Sequence, residues 1–367
     1  IPMKILAINP GSTSTKIAVY EDETELFCKS IEHTNEELIK YDHLSDQFKF
    51  RKEIVLQTLE NFKFDVSTLA GVVGRGGLLP PVKAGGYLVN QAMKDRIING
   101  PIISHPSNLG ALIAESIAKP LGIPAYIYDA VSSDEFYEIA RITGFPEISR
   151  HSFCHVLNAK AMARKAAAQY GKTYDQMNFI VAHLGGGISI SIHEKGRIVD
   201  SISDDAGPFS PERSGSAPLS DVVDLCYSGK YTKKEMIKKI RGMGGIKAHL
   251  GVHDCREIEN MIDAGDQKAK LIYEAQAYQI AKGIGELAPV LNGKIDAIIL
   301  TGGVANSKRF TQMIIDRVNF IAPVVIMPGE NEMESLALGA LRMLRGEESP
   351  SEYLEAINEF ENRMVKE

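Results

Sequence analysis

Three glycine-containing turns carry residue types that bind phosphate. They are Asn9-Pro-Gly-Ser-Thr-Ser-Thr-Lys16, His183-Leu-Gly-Gly-Gly-Ile-Ser189 and Thr301-Gly-Gly-Val-Ala-Asn306. Each follows an apolar run of strand character. Backbone N–H groups without neighbouring side chains can close around phosphate oxygens, and hydroxyls such as those of Ser12 and Thr13 add donors. One such turn is as readily a plain strand connection. Three at equivalent places in a chain that repeats itself point to a nucleotide tail. Two common alternatives fail on inspection. Gly171-Lys172-Thr173 ends like a P-loop, but Ala166 stands where the upstream glycine is needed. No Gly-x-Gly-x-x-Gly follows a strand, so a dinucleotide fold is not expected.

The elements that must position these turns read as two similar halves. Strands are predicted over 4–11, 12–20 and 25–31, a meander broken by Gly/Ser and acidic turns. Helical periodicity follows over 45–62. An apolar run at 69–74 is too short for a helix. Helices are predicted over 105–119 and 152–170, with a strand at 123–128 between them. The pattern then restarts: strands at 178–184, 188–192 and 197–202, helices near 218–227, 233–239 and 267–291, a buried strand at 297–300, a helix from Ser307, a strand at 324–327 and a helix at 333–345. The tail over 350–365 reads as one more helix. The repeat predicts two αβ domains, 1–150 with 346–367 returning to it, and 151–345. Clefts between such domains are favoured ligand sites.

Composition sets limits. The chain has 367 residues, 44% hydrophobic and 24% charged, and a formal net charge of −6. These values exclude a disordered or collagen-like chain, and no global basic field favours nucleic acid or an anionic membrane. Cys28, Cys154, Cys226 and Cys255 form no CxxC pair, which fits a reducing cytoplasm. The longest charge-free stretches, 97–114 and 176–193, are broken by Pro and Gly and do not read as membrane helices. Met3 opens directly into a strand, so no export leader is expected. Ile1-Pro2 before it reads as an expression remnant.

The ordered set Asn9–Lys16, Gly74-Arg-Gly-Gly77, Ser104-His-Pro106, Tyr128-Asp-Ala130, His183–Gly187, Pro211-Glu-Arg-Ser-Gly215 and Thr301-Gly-Gly303 resembles the acetate/butyrate kinase family. These are short-chain carboxylate kinases of the sugar kinase, heat-shock ATPase and actin superfamily. The resemblance spans nearly the whole chain. It implies an α/β, duplicated RNase H-like (actin/sugar-kinase-like) two-domain fold with an interdomain cleft. It also implies ATP/ADP and Mg2+, a small-molecule carboxylate partner and a homo-oligomer.

The resemblance also assigns roles. Arg75 and Arg213 would bind the carboxylate and the transferring phosphoryl, and His183 would donate to the phosphoryl oxygens. Asp129 would sit beside the arginines as an orienting group rather than a base, because a carboxylate nucleophile needs no deprotonation. Read singly, Arg75 is a surface arginine, Arg213 a loop ion pair, His183 a core histidine and Asp129 a turn cap. Ser12, Thr13, Lys16, His105, Gly185, Gly186, Gly187, Gly302, Gly303 and Asn306 would serve the phosphates and the nucleoside, with Asp204 a further candidate. Asn9 and Glu334 would meet the metal, with Glu330 and Glu332 close in sequence.

Acetate kinases usually carry a Val and a Phe where Gly77 and Ala182 stand. The smaller residues predict a pocket suited to a longer acid, butyrate before isobutyrate and valerate. Each buried methylene is worth about 0.8 kcal/mol. An actin-like or chaperone-type ATPase and a sugar kinase are the competing classes. A sugar kinase would recruit Asp129 as base.

Overall fold

The computed structural model describes residues 1–80, 82–100 and 105–354. Two compact units are formed: Ile1–Asp134, Thr143–Ser149 and Asn331–Glu367 make the first, Glu135–Ile142 and Arg150–Glu330 the second. The sequence draws its boundaries at 150 and 345. The first unit differs by taking in the helix Glu332–Leu344, whose apolar face packs on strands of the first sheet.

The first unit is built on six strands, β1 (Lys4–Pro10), β2 (Ser14–Glu21), β3 (Thr24–Glu32), β4 (Leu69–Arg75), β5 (Gly86–Leu88) and β6 (Ala125–Tyr128), in the order β3-β2-β1-β4-β6-β5. The second holds β7 (Asn178–Leu184), β8 (Ile188–Glu194), β9 (Arg197–Ile202), β10 (Ala297–Gly302) and β11 (Val324–Pro328), in the order β11-β10-β7-β8-β9. The duplication read from the sequence is present. In each sheet three antiparallel strands come first, and a parallel strand then pairs with the first of them, β4 on β1 and β10 on β7.

Strand parity decides which side chains reach the chemistry. Side chains alternate faces along a strand. In β4, Gly71 and Arg75 share the face covered by the helix Glu332–Leu344. A Cβ at Gly71 would come 3.2 Å from Leu344. Gly74 points to the other face and lets the helix Asn108–Leu121 approach so closely that a Cβ there would collide with the Gly110 carbonyl.

In β7 the division is as sharp. Ile180, Ala182 and Leu184 enter a core with Tyr273, Ala277, Ile280 and Ile284 of the helix Gln267–Leu287. Phe179 and Val181 pack on the other face against Ala159, Met162, Ala163 and Ala166 of the helix Val156–Gln169. His183 continues that second face.

Sequence and structure differ at the tail. Pro350–Leu354 is not helical. Tyr353 is buried in the first unit's core, and its carbonyl accepts from Asn90. The rest of the helix expected over 350–365 lies outside the described residues, as does Ser104. No described helix is long and apolar enough to cross a membrane.

Candidate active site

The first glycine turn joins β1 to β2. Gly11 N–H donates to the Ser14 carbonyl at 2.7 Å, and Ser12, Thr13 and Lys16 are exposed. Beneath the turn lies Arg51, which the sequence reading did not pick out. It is fully buried, and its guanidinium donates to the carbonyls of Gly11 (2.7 Å), Ser14 (2.8 Å) and Ser12 (3.4 Å) and to Thr15 Oγ1 (3.3 Å). A cation that collects the carbonyls from behind fixes the turn's shape.

Arg75 ends β4 and pairs with Glu332 at 2.5 Å. Asn9 Nδ2 donates to the same Glu332 oxygen at 2.7 Å. Glu334 is engaged differently. Its backbone N–H is capped by Asn331, and its carboxylate accepts from Asn331 Nδ2 at 3.2 Å. Of the three glutamates, Glu332 is the one whose carboxylate meets Asn9, Glu330 meets His183, and Glu334 lies at a helix start, where a negative charge is favoured.

Asp129 is buried, with φ +43°. Its Oδ1 accepts from Gly85 N–H at 2.7 Å, while its own N–H donates to the Gly85 carbonyl at 3.0 Å. His105 Nδ1 lies 2.7 Å from Ser107 Oγ. Desolvation first, and the Arg75 charge second, lower its pKa.

In the second unit His183 is 1% exposed. Its Nε2 lies 2.6 Å from Glu330 Oε1, and its Nδ1 3.1 Å from Asn158 Nδ2. His155 stacks on its ring at 3.8 Å. Gly185 turns beside this pair, Gly186 is exposed, and Gly187 makes room for Arg213: a Cβ there would lie 2.9 Å from Arg213 Cζ. Arg213 pairs with Asp204, and Arg241 approaches the same carboxylate at 3.7 Å. Burial first, and Arg241 second, lower the Arg213 guanidinium from its ordinary value.

The third turn opens onto a cavity of about 820 Å3 lined by Gly185, Gly186, Gly303, Asn306, Ser307 and the stretch His253–Arg256 with Glu259. Gly302 has φ +89°, and a Cβ there would collide with the Leu184 carbonyl. Asn306 donates to the Gly303 carbonyl at 3.0 Å. Ser307 caps the helix Lys308–Val318. Glu259 accepts from Ser307 Oγ (2.8 Å) and Tyr273 OH (2.7 Å). The wall from Asp254 to Glu259 was missed. Its signal was present: Asp254 and Glu257, three residues apart before Ile258, mark the start of the helix Cys255–Asp263.

Gly77 and Ala182, the residues expected to shape the acid pocket, are both buried. A Cβ on Gly77 would run into Asn108 Oδ1, because Asn108 fills that space and caps Leu78 N–H at 2.8 Å. Ala182 has no exposure and faces the apolar core, opposite His183.

The sequence pattern of the acetokinase family matches residues 143–336. The chain is 49% identical over 352 residues to butyrate kinase 1 of Clostridium acetobutylicum, covering 95% of this chain and 99% of that relative. The chain belongs to the acetokinase family. It is 50% identical over 351 residues to a probable butyrate kinase 2 of Caldanaerobacter subterraneus, with the same coverage. An acetate kinase from Porphyromonas gingivalis superposes with a TM-score of 0.78 at 19% identity, covering 93% of this chain and 100% of that one. A propionate kinase from Francisella tularensis gives 0.70 at 19% identity, covering 92% and 98%. As a member of this family the chain is an ATP-dependent carboxylate kinase, with the duplicated α/β fold of the sugar-kinase type.

Proposed function

We propose that this acetokinase-family protein transfers the γ-phosphoryl of ATP to butyrate, reversibly, giving butyryl phosphate and ADP. The observation that carries the choice of acid is the identity of about half of all residues, across 95% of the chain, with relatives named butyrate kinase.

The attacking carboxylate is already an anion at neutral pH. The work is to bring two anions together and neutralise three equatorial oxygens in an in-line transfer. Guanidinium forks suit that work. Arg75 binds the carboxylate and phosphoryl, Arg213 the phosphoryl, and His183 Nε2 donates to a phosphoryl oxygen. Asp129 holds the loop at Gly85. The glycine turns at 9–16 and 183–189 take the phosphates, with His105 near Arg75. The cavity beside Gly303, Asn306 and Ser307 takes the nucleoside.

Asn9 and Glu332 fit a hydrated Mg2+, which needs only one or two protein oxygens beside those of the phosphates. Asn9 would supply its amide oxygen and Glu332 its carboxylate, two side chains already in contact through Asn9 Nδ2. Bound there, Mg2+ would supply charge neutralisation at the β- and γ-phosphates.

The protein works in the cytoplasm as a homo-oligomer. Four free thiols support the compartment. The helix Leu219–Cys226 supports assembly: it buries none of its residues, and Leu219 and Val223 lie open. Sedimentation as a monomer would remove the oligomer.

A hydroxylamine trap tests the reaction. Hydroxamate must form only with ATP and acid together, and fastest with butyrate among C2–C5 acids. Faster acetate turnover would overturn the acid. ATP hydrolysis without hydroxamate would favour the ATPase class, and phosphorylation of a sugar hydroxyl the sugar-kinase class.

A further inference from the structure

We infer that Asn158 fixes the tautomer of His183, which makes it a positioning residue; its catalytic consequence rests on the transfer reaction proposed above. Asn158 sits in the helix Val156–Gln169 and is 3% exposed. Its Nδ2 lies 3.1 Å from His183 Nδ1 and 3.1 Å from Thr301 Oγ1. Thr301 Oγ1 gives its one hydrogen to the Gly329 carbonyl at 3.2 Å. Toward Asn158 that hydroxyl is therefore an acceptor, and an amide oxygen facing it would oppose that acceptor. The amide nitrogen faces Thr301, and the same nitrogen faces His183 Nδ1. Nδ1 accepts, so the ring proton sits on Nε2.

The far side of the ring gives the same answer independently. Nε2 lies 2.6 Å from Glu330 Oε1, and an ionised carboxylate only accepts. The opposite tautomer would set a ring lone pair against that carboxylate. It would also require the Asn158 amide to turn over and the Thr301–Gly329 bond to break. Ring rotation is blocked by His155, stacked at 3.8 Å and 11° and anchored to Ser189 Oγ at 2.8 Å. Asn158 therefore keeps an N–H, not a lone pair, at the Nε2 position. A tautomer flip would abolish the donor without removing the imidazole.

The test uses the full chain with 15N-labelled histidine and no nucleotide, His183 being assigned with His183→Gln. Long-range proton–nitrogen spectra should give an unprotonated Nδ1 and a protonated Nε2 in the wild type. Asn158→Asp keeps the shape but presents only acceptors, so Nδ1 should become protonated as well, the ring then donating to a carboxylate at each nitrogen. In the hydroxamate assay the pH profile of kcat for that variant should shift to higher pH, with KM for ATP little changed. Asn158→Ala, still held at Nε2 by Glu330, should keep a protonated Nε2. A protonated Nδ1 in the wild type overturns the inference, as does an Asn158→Asp protein whose Nδ1 stays unprotonated. If the Asn158→Asp protein does not fold, the wild-type spectrum decides alone. Absence of hydroxamate with every acid would sink the carboxylate kinase reading and leave the tautomer result standing.

Discussion

Arg75 and Glu332 form an ion pair at 2.5 Å, one ending β4, the other opening the helix Glu332–Leu344. Both side chains are mostly buried, at 18% and 26% exposure. Glu332 also accepts from Asn9 Nδ2 at 2.7 Å, beside the proposed metal position. Glu332→Gln should therefore raise the Mg2+ concentration needed for half-maximal rate by about 10–100-fold, the loss typical when metal-site support is removed. The same change at Glu334 should give the smaller shift, because its carboxylate meets Asn331 and not Asn9. Mg2+ titrations in the hydroxamate assay measure both. The reverse order would return the metal to Glu334.

Arg213 and Gly187 depend on one another. Arg213→Ala should lower kcat by about 10²–10³, as for loss of one stabilising donor. Gly187→Ala leaves the arginine present but puts a methyl 2.9 Å from its Cζ. Its kcat should fall in the same direction, and adding Gly187→Ala to the Arg213→Ala protein should cost little more. Independent, multiplying losses would show that the two residues do not act as a unit.

Arg51→Met removes the buried cation that gathers the carbonyls of the first turn, leaving the Gly11 and Ser12 carbonyls without it and the Ser14 carbonyl with only Gly11 N–H. Hydrogen bonds to a charged group are worth about 1.5–3 kcal/mol each, so a loss of several kcal/mol is expected. Thermal unfolding measures it. KM for ATP should rise in whatever fraction stays folded. An unchanged melting temperature would mean that the turn holds its shape unaided.

Acid should loosen the second unit through His193. It is fully buried, with Nδ1 2.6 Å from Tyr174 OH and Nε2 2.8 Å from Ser191 Oγ. Burial first, then Lys160 and Arg164, hold its pKa well below 6.5. The unfolded chain binds the proton near pH 6.5 and the folded one resists it. Stability is thus complete above about pH 6.5 and declines as pH falls toward the folded value, by up to about 1.4 kcal/mol per pH unit. Melting temperatures from pH 7.5 to 5 should follow that sign, and His193→Gln should flatten the slope.

The strands other than β5 were legible because buried strands read as short apolar runs closed by glycine turns, and the second half repeats the first. The partners of the site residues were not. His183 and Glu330 are 147 positions apart, and Arg75 and Glu332 are 257 apart by their numbers. Which of three neighbouring glutamates points where depends on the register of a helix start, and no single-sequence pattern sets it. Arg51 was invisible for another reason. It lies in a helix of mixed polarity, and only the fold brings a β-turn over it.

The two-faced character of β7 has a practical side for anyone wishing to re-engineer the enzyme. Ala182 looks like a dial for chain-length selectivity, yet enlarging it presses on Ile180, Leu184 and the long helix behind them. Overpacking of that kind usually costs about 1–3 kcal/mol. A library randomised at position 182 should therefore yield fragile catalysts rather than retuned ones. Variation aimed at new acids belongs in loops whose side chains are not part of the scaffold.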